Sequence, residues 1–98
     1  MAYQIVWAEK ANIERQNILE FWAENNKSKV YSLKLNKLFI SAIRDLSKRP
    51  NIGRKTEFEN VRVKIVRNYL IFYEIIKKEI LILSVWDGRR DKKNLKIR

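Results

Sequence analysis

At 98 residues the chain has room for one domain and a modest core, not for two. Lys and Arg outnumber Asp and Glu by 22 to 11, giving +11, a surface that attracts nucleic acid, acidic membrane faces or acidic protein segments. The lack of Cys and His excludes disulfide frameworks, thiol and histidine catalysis and the usual zinc ligands, so no metal or cofactor is expected.

The elements follow in chain order. "YQIVWA" (Tyr3–Ala8) is a short β-rich run and reads as a first strand. "EKANIERQNILEFWAENN" is made of helix formers, with Ala11, Ile18, Leu19, Trp22 and Ala23 on one face. Asn25 and Asn26 suit its end, and Ser28 suits the N-cap of the next helix. That helix, about Lys29–Lys48, carries a stripe of Tyr31, Leu35, Leu38, Phe39, Ala42, Ile43 and Leu46, and Pro50 closes it. A connection this short predicts an antiparallel helical hairpin.

After the loop "PNIGRKTEFEN" come "VRVKIV" (Val61–Val66), "YLIFYEI" (Tyr69–Ile75) and "ILILSVW" (Ile80–Trp86). Their close spacing predicts an antiparallel meander. The fold class is therefore α+β in the order β-α-α-β-β-β, one domain over 1–98, with a helical hairpin packed on one face of a twisted antiparallel sheet. The N-terminus has no apolar signal core, and the longest apolar runs are too short to span a bilayer. A soluble protein in a reducing cytoplasm fits, with no membrane partner.

Strand alternation puts Val61, Val63 and Ile65 on one face of their strand and Arg62 and Lys64 on the other. The apolar face is expected to meet the helices and the basic face to point outward. The next strand is apolar on both sides, as a central strand should be. Leu70, Phe72 and Ile76 share one side, and Tyr69, Ile71, Tyr73 and Ile75 the other. The tail "GRRDKKNLKIR" starts where the last strand stops. Arg89 and Arg90 are thus expected at the sheet edge, where Arg62, Lys64 and Arg67 would join them in one positive cleft on the open side. Asp87 would be the lone carboxylate there, an orienter or a proton acceptor. Lys92 and Lys93 extend the basic surface. Such cations could stabilise a phosphorane in RNA cleavage, although no general acid or base is assigned.

These segments resemble the RelE/ParE superfamily of bacterial type II toxins. The resemblance covers nearly the whole chain and is most specific in "YLIFYEI…ILILSVWDGRRD". It implies a small basic growth inhibitor, associated with plasmid stabilization and neutralised by a cognate antitoxin with an acidic or amphipathic segment, in a possible hetero-oligomer. Antitoxin contacts are expected at Tyr69, Ile71, Tyr73 and Trp86, on the open sheet face and adjoining helix surface. Two targets are implied. ParE-like members inhibit DNA gyrase and are not nucleases. RelE-like members cut mRNA on the ribosome, without a metal, and here would use Arg62, Lys64, Arg67 and Arg89 or Arg90. Arg62 and Lys64 match the RelE-like basic pair. Leu70 replaces a common Arg, Asp87 a common His, and Leu95-Lys96-Ile97 a C-terminal Tyr. "RPNIGR" resembles the ParE side, so gyrase is the expected target and mRNA the alternative.

Overall fold

The structure is a computed structural model that describes residues 2–25 and 29–97. The chain runs β1 (Gln4–Trp7), α1 (Glu9–Asn25), α2 (Val30–Lys48), β2 (Arg54–Lys55), β3 (Val61–Val66), β4 (Tyr69–Ile76), β5 (Glu79–Asp87) and a 3-10 turn (Lys92–Asn94). The sheet order is β1-β5-β4-β3-β2. The β2 to β5 pairs are antiparallel and β1 joins β5 in parallel, so the five-stranded sheet is mixed. The expected α+β layout and helical hairpin hold. Two features are additional: the two-residue β2 and the parallel edge.

Both helices form for the reasons their sequences give. Leu35, Phe39, Ala42, Ile43 and Leu46 of α2 are buried, as is Ala11 of α1, with Ile18, Leu19, Trp22, Tyr31 and Leu38 packed around them. Full burial of one Leu or Phe side chain contributes about 1.5–3 kcal/mol, so this stripe alone holds the hairpin on the sheet. The Trp22 indole N–H donates to the Tyr69 hydroxyl at 2.7 Å, and Ser47 Oγ donates to the Tyr3 carbonyl, tying α1 to β4 and α2 to β1. At the start of α2, Lys29 makes no side-chain cap bond. The Ser28 cap and the Asn26 stop expected from sequence lie outside the described residues.

The face assignment of β3 needs correction. Arg62 pairs with Tyr73, Lys64 with Ile71 and Val66 with Tyr69, and those partners lie in the helix-side core. Arg62 and Lys64 therefore point to the helix side. Val61 and Val63 lie on the opposite face, in a second cluster with Phe72, Leu83 and Trp86, while Ile65 is largely exposed. The physical reason is a second cover. Leu95 and Ile97 of the tail, with Phe58 of the β2–β3 loop, fold over that face. Both sides of the central strands are thus apolar because both are roofed, one by helices and one by the chain's own end.

A bulge breaks the β4–β5 ladder. Phe72 faces Ser84 and Tyr73 faces Ile82, leaving Leu83 as the extra residue. Its cost in backbone pairing is offset by α1. Glu14 Oε1 accepts from the Val85 N–H at 3.0 Å and from Ser84 Oγ at 2.9 Å, while Oε2 pairs with Lys10 Nζ at 2.9 Å. Lys10 Nζ also donates to Ser84 Oγ at 3.1 Å.

Candidate functional site

The β3–β4 turn and the end of β5 meet at one end of the sheet. Arg67 opens the turn with φ 57°, a left-handed conformation that a non-glycine residue adopts at a cost of order 1 kcal/mol. The turn is fastened to the start of the tail by the Gly88 N–H, which donates to the Asn68 carbonyl at 2.7 Å. A Cβ on Gly88 would stand 2.8 Å from that carbonyl oxygen, so the approach requires glycine. This fastening brings Arg67, Asp87, Arg89 and Arg90 to one rim.

Asp87 is held by its neighbour. Oδ1 accepts from the backbone N–H and Nε of Arg89, each at 3.0 Å, and Oδ2 accepts from the guanidinium at 2.9 Å. These bonds from Arg89 keep the carboxyl below its usual range. That geometry suits the orienter role, since a carboxylate bonded on both oxygens to a cation is a poor proton acceptor. A depressed folded value means that the stabilisation is present above about pH 4 and is lost as pH falls through the folded value. Asp87→Asn is therefore expected to lower stability slightly above about pH 5 and to leave it unchanged at strongly acid pH, which flattens the acid limb of the stability–pH curve measured by urea unfolding at a series of pH values. The effect is modest, because Arg89 lies in solvent.

The two tail arginines diverge. Arg90 lies over the Trp86 ring, 4.5 Å from its centroid, on the tail-covered face. Arg89 stays with Asp87, whose partner across the sheet, Tyr69, lies on the helix side. Lys92 belongs to the 3-10 turn and Lys93 is exposed beside it.

Arg62 does not join this rim, whereas Lys64 lies two residues, about 7 Å along β3, from the row at its base. Val66, Tyr69 and Asp87 form one row across the sheet, and Arg62 sits four residues from that row on β3. It is about 13 Å along the strands and about 10 Å across them from Asp87. Its guanidinium is already engaged, donating to the carbonyls of Gly53 at 2.8 Å and Asn51 at 3.3 Å. The expected single cationic cleft on an uncovered side is not formed. Spacing along strands fixes neither the face of β3 nor the side to which each tail arginine turns.

The aromatic surface expected for antitoxin contact is likewise enclosed. Tyr69, Ile71 and Tyr73 lie under the helices and Trp86 under the tail, all at most 5% exposed. Tyr73 has an internal task. Its hydroxyl donates to the Pro50 carbonyl at 2.7 Å and accepts from the Gly53 N–H at 3.0 Å, and burial pushes its pKa up. Exposed apolar side chains instead occur on the helices, at Ile13, Phe21, Leu33 and Ile40. In the sequence, periodicity marks out the core stripe of each helix. Apolar residues on the side opposite that stripe were the available signal.

Beside the tail, a groove of about 690 Å³ opens between Lys55–Arg62 and Glu74–Lys77, with Phe58 in its wall. Among the described residues no group of three or more carboxylates could hold a metal ion, and no helix is long and apolar enough to cross a membrane.

The family model for the ParE toxin of the type II toxin–antitoxin system parDE matches residues 5–92. The chain belongs to the ParE toxin family. It is therefore a toxin of the type II class. Two solved structures share its fold. The chromosomal ParDE toxin–antitoxin system of P. aeruginosa aligns at 19% identity with a TM-score of 0.74, covering 86% of this chain and 94% of the other. The RelBE2 toxin–antitoxin complex of Mycobacterium tuberculosis aligns at 17% identity with a TM-score of 0.57, covering 87% and 96%. No curated protein matches significantly. In this ParE-family toxin, Arg67, Arg89 and Arg90 gather at one rim at the start of the cationic tail.

Proposed function

We propose that this ParE-family toxin inhibits DNA gyrase by binding, and that a cognate antitoxin with an acidic segment neutralises it by covering the cationic rim. The divergence of the cations carries this reading. Cleaving RNA requires several positive groups around one phosphate together with a free acid and base. Here Arg62 holds a loop, Arg89 holds Asp87 and Arg90 stacks on Trp86. Arg67, Arg90 and Lys93 suit contact with an extended acidic surface, and their attraction weakens with salt. The family match favours the same target.

The test is a gyrase supercoiling assay on relaxed plasmid with the purified chain. Supercoiling is expected to fall and cleaved DNA to accumulate, while translated mRNA in an extract stays intact. Arg67→Glu combined with Arg90→Glu is expected to weaken inhibition at least tenfold. Unimpaired supercoiling with mRNA cut at defined codon positions would replace this reading with the ribosome-dependent nuclease.

A further inference from the structure

The outer faces of the two helices differ in charge and share an apolar centre. On α1 the side away from the sheet presents Glu9, Glu20 and Glu24 around Ile13, which is 49% exposed, while Phe21, 51% exposed, lies on the flank in line with Lys10 and Glu14. On α2 the corresponding side presents Lys34, Lys37, Arg44 and Lys48 around Leu33 and Ile40, which are 62% and 43% exposed. The opposite charges are not consumed within the hairpin. The Lys10–Glu14 ion pair lies inside α1 and uses none of these charges. Two soluble helices packed on a sheet have no need of apolar side chains facing away from it.

We infer that the hairpin pairs with the hairpin of a second copy of this chain, α1 against the partner's α2 and α2 against the partner's α1. A two-fold axis parallel to the helices produces that arrangement and keeps each residue at its own level along the hairpin. The levels are fixed by two contacts across the hairpin. Arg15 bonds Asn36 at 3.2 Å, and Ser32 Oγ bonds the Leu19 carbonyl at 2.8 Å. On that scale Ile13 comes within about one turn of the partner copy's Ile40. Glu20 then meets Lys34, and Glu9 meets Arg44. The same-helix alternative would set cations against cations on α2 and acids against acids on α1.

Size sets the strength. Helices of 17 and 19 residues are about 25–28 Å long, and two side by side are about 20 Å wide. Each copy can thus cover on the order of 500 Å², a total at the lower edge of specific interfaces, which fits dissociation in the micromolar range. The +11 charge of each copy opposes association, so the local match of acidic and basic helices must hold the pair. This pairing does not depend on which target the toxin has.

Sedimentation of the full-length chain up to about 200 µM, well above a micromolar Kd, tests it. The wild type is expected to show a monomer–dimer equilibrium. Glu20→Lys with Glu24→Lys, and separately Lys34→Glu with Lys37→Glu, are each expected to weaken self-association at least tenfold. Mixing the two variants restores a mixed pair, because reversed α1 then faces reversed α2. Circular dichroism and melting of each variant verify that it is folded. A monomeric wild type at that concentration would overturn the proposal. So would charge variants that pair as the wild type does, or folded variants that fail to pair when mixed. If α2 reversal instead weakened only antitoxin binding, that face would belong to the antitoxin and self-pairing would be wrong.

Discussion

Gly53→Ala is expected to lower stability by about 2–4 kcal/mol, a large part of what a domain of this size possesses. A Cβ at this position would stand 2.7 Å from Cε1 and 2.9 Å from Cζ of Tyr73, and closer still to its hydroxyl oxygen. The ring cannot step aside, because Tyr73 is fully buried beneath the helices. If the loop moves instead, it abandons the bonds between Tyr73 and the Pro50–Gly53 segment and those from Arg62 to Asn51 and Gly53. For a chain of about 100 residues the melting temperature should drop by roughly 8–25 °C. Tyr73→Phe alone is expected to cost about 1–3 kcal/mol, and the double variant less than the sum, since the first change removes part of what the second disrupts. Additive losses in denaturant titrations would show that the glycine and the phenol do not share one site.

Glu14→Ala should be nearly as damaging, at about 2–4 kcal/mol. One carboxylate serves the amide freed by the bulge, the buried Ser84 hydroxyl and the Lys10 ammonium. Removing it leaves the Val85 N–H without an acceptor in the interior, and a buried unmet donor costs more than the lost bond itself. Glu14→Gln keeps an oxygen for that amide and is expected to recover about half of the loss. Hydrogen exchange at the Val85 amide distinguishes this account from a general loosening. Exchange there should accelerate in the alanine variant and stay slow in the glutamine one, with amides on β3 following only the global change.

Much of this architecture is written locally. β3 begins and ends where alternation and the flanking turn residues place it, and the α2 core stripe packs residue for residue. What could not be read is relational. β2 is two charged residues long and has no periodicity of its own; it exists because Arg54 and Lys55 align with Val63 and Arg62. Alternation in "VRVKIV" separates two faces but does not say which one meets helices. The answer depended on Leu95 and Ile97, two apolar residues within a cationic tail, which roof the other side. For the same reason the rim was only partly visible. The proximity of Arg67, Asp87 and Arg89 follows from the strand order, while the turning of Arg90 onto Trp86 and the capture of Arg62 by loop carbonyls are tertiary events.

The parallel union of the first and last strands has a bearing on how the chain is born. Residues 4–7 find their ladder only opposite 79–82, so the N-terminal ribbon must wait until synthesis has passed residue 82. Pairing across such a sequence gap is slow to close, and premature fragments, lacking the seat for that ribbon, would be handed to proteases instead of maturing. For a member of a toxin family, chains interrupted before residue 79 are therefore expected to be inactive.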